Sequence, residues 1–353
     1  MLFLIRYSNS YPEFQYLEVE WVLRHRGMPF LIVKREPPYE IIDSSIEAME
    51  IICERCVFVR NVSYYLFDVS NIDELLELKD VKDLMIQARE RKNFIGCVKN
   101  FYFGDKISAE KSKFIKDHFG MIFSKIDLVT PTDILELHFS TRIYGGLNFK
   151  SSNRKYFLGF HVEKRPFIGH TSMDLELSIF MANICNIGIN SIVYDPCAGS
   201  GSILLACSLL GAFVFGSDID SRQYVGENIF KNNVKTRLKG TNIYTNFIHY
   251  NNTTSVLGFN IADLFSIPFI RPHTLDCILV DPPYGIRASL KKNINEYIEE
   301  IGKLGVELLI ENGYLGIWIP EGVEFKLDGY EEIISVRQRL ASYTRMMCVY
   351  KKI

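Results

Sequence analysis

The sequence predicts an α/β fold: an open, mostly parallel sheet with an antiparallel last strand over the C-terminal half, preceded by α+β modules. Three observations predict it. The short apolar run Ile192 to Tyr194 passes through Asp195-Pro196-Cys197-Ala198-Gly199-Ser200-Gly201 directly into the helix-like run Ser202 to Leu210. Three further short apolar runs each end in acidic residues, at Asp218 and Asp220, at Asp263 and at Asp281. The last two strand-like runs, Glu331 to Val336 and Tyr343 to Lys351, follow one another as a hairpin does, which adds an antiparallel edge.

Composition bounds the reading. A chain of 353 residues accommodates two or three domains, and 48% hydrophobic with 23% charged residues describes a soluble globular protein. No apolar run approaches the ~18 residues of a membrane span. The opening Met1 to Ile5 is too short for a signal segment and runs into Arg6-Tyr7, as a first strand does. Eight scattered cysteines, mostly inside apolar periodic segments, suit reduced thiols and a cytoplasmic location. Cys53 and Cys56 make the one CxxC pair, at helical spacing and without a second pair, so no metal site is expected. Charge is uneven: residues 91–170 hold 14 Lys and Arg against 7 Asp and Glu, whereas residues 1–90 hold 10 against 16. A basic module beside acidic ones fits docking on a phosphate backbone.

In chain order, residues 1–68 read as a small α+β module. Phe3 to Tyr7 is a strand, Phe14 to Arg26 an amphipathic helix stopped by Gly27, and Phe30 to Lys34 a strand. A helix capped by Ser44 or Ser45 runs to Cys56, and Val57 to Asp68 returns as a strand. Residues 69–163 form the second module, opened by a charged connecting helix from Asn71 to Lys92. Strands follow at Phe94 to Phe103, Ile134 to Phe139 and Tyr156 to Val162, with a helix from Ser108 to Phe119 between the first two. Lys111 and Lys113 lie on that helix with Lys106, Lys116 and Lys125 on or beside it; with Arg142, Lys150, Arg154 and Lys155 they are candidates for RNA phosphate contact.

Residues 164–353 form the third module, with strands ending near Asp195, Asp218, Asp263 and Asp281. Ligands bind at the carboxyl ends of strands in such sheets. Glycines at a strand-to-helix turn let the backbone approach a ligand, and an acidic residue after the second strand suits a ribose diol. The turn opens with Asp-Pro and lacks the third spaced glycine of a dinucleotide site, which favours a smaller, cationic, amino-acid-bearing adenosine ligand. S-adenosylmethionine fits. Asp195, Cys197, Gly199, Ser200 and Gly201 would face its methionine end, Asp218 or Asp220 with Ile219 its ribose, and Asp263 with Leu264 its adenine. Thr171 or Ser172, beside Met173, is expected to cap the helix Leu175 to Cys185 and hold the cofactor carboxylate. Residues Thr241 to Thr254 are equally compatible with helix, strand or loop.

Asp281-Pro282-Pro283-Tyr284 carries the chemistry. A planar amino nitrogen has its lone pair drawn into the attached π-system, so methylating it needs acceptors that hold it pyramidal and take its protons. Asp281 supplies one, Pro282 and Pro283 fix φ and present carbonyls without competing N–H groups, and Tyr284 offers a stacking face.

These residues resemble a known family. Arg165 to Asp174, Asp195 to Gly201, Phe215 to Asp220 and Asp281 to Arg287 are similar to the catalytic subunit of the eukaryotic tRNA guanosine N2-methyltransferases that act at position ten. Lys125 to Ile134 and Tyr156 to Gly159 resemble a THUMP domain more loosely. The resemblance implies a Rossmann-like class I methyltransferase sheet preceded by a ferredoxin-like/THUMP RNA-binding region. It also implies a small zinc-binding activator subunit as partner in a heterodimer. Methyl transfer to N2 of a guanine flipped from its stack is the expected reaction, with Arg165 and Arg287 added to the substrate-binding set. The competing readings are methylation of another amino group, adenine N6 or a protein glutamine, and a catalytically silent RNA-binding scaffold.

Overall fold

The structure, a computed structural model, describes residues 1–169, 172–225, 240–267, 270–284, 293–323 and 325–353. The chain divides into two compact units: Met1–Gln15, Arg26–Glu54 and Phe58–Ser152 make the first, and Tyr16–His25, Arg55–Val57 and Asn153–Ile353 the second.

The first unit is built on one sheet of eight strands. They are β1 (Leu2–Tyr7), β2 (Phe30–Glu36), β3 (Tyr39–Ser44), β4 (Val59–Val69), β5 (Ile95–Tyr102), β6 (Lys125–Ile126), β7 (Asp133–Phe139) and β8 (Ile143–Ser151). Their order is β2-β3-β1-β4-β8-β7-β5-β6. The pairing of β4 with β8 carries the sheet from the residues of the first expected module into those of the second. Only β5 pairs in parallel, with β6 and β7. β3 and β8 have no counterpart in the sequence reading. Both include polar or glycine positions that blur a period-two pattern, and both gain their place from long-range pairing.

Two expected elements are corrected here. The single helix from Asn71 to Lys92 is two helices, Ile72–Glu77 and Val81–Arg89, with Leu78 extended between them. Each buries its own apolar residues, Leu75 in the first and Val81 and Met85 in the second. The expected strand at Tyr156 to Val162 is helical, an α-turn at Arg154–Phe157 followed by 3-10 turns at Leu158–Phe160 and Val162–Lys164. Tyr156 meets Phe160 ring to ring at 5.1 Å, a contact four residues apart that helical winding provides and a strand does not.

Among the described residues the second unit holds seven strands: β9 (Ile192–Asp195), β10 (Phe213–Asp218), β11 (Val256–Ile261), β12 (Leu275–Val280), β13 (Leu309–Pro320), β14 (Tyr330–Arg339) and β15 (Thr344–Lys352). Their order is β11-β10-β9-β12-β13-β15-β14. β9 to β13 run parallel, while β15 enters between β13 and β14 antiparallel to both. The parallel strands are apolar because helices cover them: every residue of helix Leu175–Ile184 is buried, and helix Ile294–Leu308 closes an apolar core with Ile278, Val280 and Ile317.

Helix Gln15–His25 groups with this second unit. Glu18 accepts from Asn183 Nδ2 at 2.8 Å and from the Val57 amide at 3.0 Å. The ambiguous stretch after Thr241 contains helix Ile243–His249, opened by a reciprocal cap between Asn242 and Thr245. The helix at Leu175 is capped by Asp174, whose carboxylate accepts from the Glu176 and Leu177 amides, and not by Ser172, which turns toward Ser200. Thr171, the other expected cap, lies outside the described residues.

Candidate active site

A parallel sheet brings the carboxyl ends of its strands to one rim. β9 ends at Asp195 and β10 at Asp218, while Asp281 directly follows β12 and Asp263 stands two residues beyond β11. All four carboxylates lie within electrostatic reach of the Cys197 thiol. The Cys197 thiol is pushed far up, first by burial and then by Asp195, Asp218, Asp281 and Asp263. It therefore stays a thiol, a contact surface and not a nucleophile.

The turn from β9 into helix Ser202–Leu209 is held by two of these acids. Asp195 is buried and accepts from the Cys197 amide at 2.9 Å. Asp218 accepts from the Gly199 amide and from the Asp220 amide, each at 2.8 Å. Gly199 and Gly201 adopt φ of 51° and 75°, the left-handed region that favours glycine. At Gly201 a Cβ would also come within 2.9 Å of the Ile243 side chain, so this glycine is required by internal packing as well as by the turn.

Burial raises both acids. Asp195 lies well above the usual carboxylate range, pushed there by burial, with Asp218 and Asp281 adding to the shift against the Cys197 hydrogen bond. Asp218 is raised by burial against its backbone donors. Asp220 goes the other way: Arg222 pairs with it at 2.7 and 2.9 Å and holds it low despite partial burial. Of the two ribose candidates, Asp218 is therefore the one with no cationic partner among the described residues.

The remaining expected cofactor residues divide by exposure. Ser172 Oγ and Ser200 Oγ stand 2.7 Å apart beside the turn. Ile219 and Asp263 are exposed, whereas Leu264 is buried in the core under β12. Met173 is buried, its sulfur 3.4 Å from Arg345 Nη2.

At the Asp281-Pro282-Pro283-Tyr284 corner, Pro282 is buried and Pro283 half-buried. Tyr284 donates its hydroxyl to Asp281 Oδ1, and burial followed by the Asp281 charge pushes its phenol well up, so it remains a neutral donor. Its ring meets Tyr343 edge-on at 6.5 Å. Arg345 Nη1 lies 3.1 Å from Asp281 Oδ2 and 3.3 Å from Oδ1. Nothing in the sequence reading singled out Arg345. The only signal is a lone arginine opening an apolar run, Met346-Met347-Cys348-Val349-Tyr350, which is common on an exposed strand end.

Several expected substrate contacts are placed elsewhere. Arg165 is 5% exposed and spends its guanidinium on Phe160 O at 2.9 Å and Ser202 Oγ at 2.6 Å, so the expectation that it reaches RNA is corrected: it is a buried brace beneath the turn. Burial lowers it to about 10. Arg287 lies outside the described residues. Lys111 and Lys113 are exposed on helix Ala109–Gly120 of the first unit. Arg142, Lys150 and Arg154, grouped with them in the sequence reading, are tied up with Asp68, Glu54 and Glu176.

Comparison with known proteins adds the following. Residues 163–327, within the second unit, match the UPF0020 family model, described as RMKL-like, methyltransferase domain. The tRNA (guanine(10)-N(2))-methyltransferase of Saccharomyces cerevisiae is 36% identical over 190 residues, covering 53% of this chain and 42% of that protein. The human tRNA (guanine(10)-N(2))-methyltransferase TRMT11 is 37% identical over 166 residues, covering 47% of this chain and 35% of that protein. This chain thus spans less than half the length of these two relatives. TrmN from Thermus thermophilus superposes with a TM-score of 0.50 at 15% identity, covering 100% of both chains, a likeness of fold.

Proposed function

We propose that this chain transfers a methyl group from S-adenosylmethionine to the exocyclic N2 of a guanosine in tRNA, at position ten. The observation that carries the reading is the rim itself: four carboxylates at the strand ends, beside a glycine turn and within an Asp-Pro-Pro-Tyr corner, with Asp195 and Asp218 raised by burial. Acids in that state favour a cationic ligand. The similarity of this unit to two tRNA (guanine(10)-N(2))-methyltransferases supports the substrate.

The residues present fit the cofactor. Asp195 and the Gly199–Gly201 turn would hold its amino-acid end with Ser172 and Ser200, Asp218 its ribose, and Asp263 and Ile219 its adenine. When bound, S-adenosylmethionine supplies an electrophilic methyl carbon. Asp281 and the Pro282 carbonyl would accept hydrogen bonds from the two N2 protons of the guanine and orient the amine for transfer. The amine takes the place of the Tyr284 hydroxyl on Asp281 Oδ1, which frees the Tyr284 ring to stack on the base. Asp281 receives the proton that N2 sheds.

The first unit supplies the RNA contact in this reading, as a THUMP-like module. Lys106, Lys111, Lys113 and Lys116 are exposed and in no ion pair among the described residues, beside the exposed rings of Phe103 and Phe114. Free cations next to open aromatic faces suit phosphates and unstacked bases. β11 is the outer strand of the second sheet and exposes Leu257 and Ile261, each 57% accessible. That edge supports strand addition by a small zinc-binding activator subunit. A reducing, cytoplasmic location suits eight free cysteines, and no helix among the described residues is long and apolar enough to cross a membrane.

The test is to incubate the purified chain, with and without the zinc-binding subunit, with unmodified tRNA and methyl-labelled cofactor, then map the labelled nucleoside. N2-methylguanosine at position ten is expected. Label in adenine, in protein, or nowhere with the partner present would overturn the reading.

A further inference from the structure

We propose that Arg345 is the positioning residue of this site, holding Asp281 as an aligned anion so that it accepts protons from the substrate amine. The inference rests on the methyl-transfer reading and names a residue that neither the motif nor the comparisons supply.

The topology brings Arg345 to the rim. β15 runs antiparallel to β13, so it begins where the parallel strands end, and Arg345 lies opposite Pro320, the last residue of β13. On its other side it lies opposite Gln338 of β14. Its guanidinium is fixed from four directions. Nη1 reaches both Asp281 oxygens, Nε donates to Gln338 Oε1 at 2.7 Å, Nη2 contacts Met173 Sδ, and the plane covers the Trp318 ring at 4.1 Å. A planar fork stacked on an aromatic ring is a task for arginine and not for lysine. Arg345 is 8% exposed, so this order is held inside the protein and not at a solvated surface.

Charge explains why such a brace is needed. Among the described residues, Arg345 of β15 and Tyr284 on its own loop hydrogen-bond to Asp281, and its charge reaches Asp195 and Cys197 after β9. Asp195 is a carboxylate, and a like charge nearby favours protonation of its neighbour. A protonated Asp281 is a donor on one oxygen and a poor base. Arg345 supplies the opposing charge. The effect is mutual: burial draws the guanidinium down, and Asp281, joined by Tyr284 and Tyr343, reverses this. A purely structural pair would be replaceable by an apolar side chain of similar volume.

The experiment measures single-turnover methyl transfer from labelled S-adenosylmethionine to unmodified tRNA across pH, for the wild type, Arg345→Gln, Arg345→Lys and Gln338→Leu. Affinity for S-adenosylhomocysteine and melting temperature are recorded for each. Arg345→Gln is expected to slow transfer about 100-fold near neutral pH and to move the acidic limb of the profile up by about one pH unit or more. Arg345→Lys returns the limb toward its wild-type position with about a tenth of the rate, since charge is kept and the fork is lost. Gln338→Leu keeps the limb and lowers the rate about tenfold. Affinity for the homocysteine product stays within about threefold throughout. A wild-type limb in Arg345→Gln, or rates that follow melting temperature alone with lysine no better than glutamine, overturns the inference. Should Arg345→Gln fail to fold, an unmoved rate in Gln338→Leu, or a limb in Arg345→Lys displaced as far as loss of the charge requires, overturns it. A wild-type enzyme that transfers no methyl to tRNA instead removes the functional reading beneath it.

Discussion

The two units bury carboxylates in opposite ways. In the first unit Glu136, 6% exposed on β7, accepts from Asn61 Nδ2 at 2.8 Å and from Ser63 Oγ, with His138 Nε2 at 3.4 Å and Arg6 within electrostatic reach. Burial alone would raise it, and these partners bring it below its ordinary range. In the second unit Asp195, 2% exposed, receives one hydrogen bond among the described residues and faces two further carboxylates. Glu136 is satisfied by the protein, as a structural acid is. Asp195 is left short of positive charge, which is how a site built for a cationic ligand differs from a core.

Experiments can break this contrast. The largest effect is expected at the chemistry: Asp281→Ala should lower methyl transfer at least about a thousandfold while product affinity stays within a few-fold, measured by single turnover and calorimetry. Loss of both together would mean that the corner only shapes the rim.

Asp195→Asn should weaken cofactor binding by about ten- to a hundredfold and at the same time raise the melting temperature at pH 7. The sign follows from linkage. A carboxyl raised in the folded state gives stability that is fully present below its unfolded pKa of about 4 and is lost as pH rises through the folded value. The amide removes that loss, so its advantage should shrink as pH falls toward 4. Glu136→Gln should behave inversely. A lowered carboxyl gives stability above its unfolded pKa that is lost as pH falls, so this variant should be less stable by about 1–3 kcal/mol at pH 7. The deficit should narrow in acid, with cofactor affinity unchanged. If both variants shift stability in the same direction at pH 7, the two carboxylates do not differ as described.

The smallest effect is at the proposed RNA face. Lys111→Ala with Lys113→Ala should raise KM for tRNA several-fold, leave kcat unaltered and flatten the salt dependence of binding. An unchanged salt slope would take that helix out of the RNA contact.

How much of this was legible in the sequence depends on how local each feature is. β12 was read at Leu275 to Val280, its observed bounds, because an unbroken apolar run between polar residues needs no tertiary information. The acids at the strand ends were readable for the same reason. Tyr156 to Val162 was misread because a short aromatic-rich run satisfies strand and helix patterns alike, and only the Tyr156–Phe160 contact decides between them. Helix Ile243–His249 was hidden among Asn and Thr residues whose capping role emerges only from geometry. Arg165, expected in the substrate-binding set, is a buried brace, while Arg345, which the sequence does not single out, touches the key carboxylate. Both depend on partners 37 and 64 residues away in sequence, which no local pattern encodes.

The central claim is that burial raises Asp195 and Asp218 above the usual carboxylate range, so that a cationic adenosyl ligand draws protons from them on binding. Calorimetric titration with S-adenosylmethionine between about pH 5 and 7, repeated in buffers of different ionisation enthalpy, tests it directly. Binding should release protons and tighten as pH rises across that range, and Asp195→Asn should reduce the release. Tight binding that neither releases protons nor depends on pH, or no binding with the partner subunit present, would contradict it.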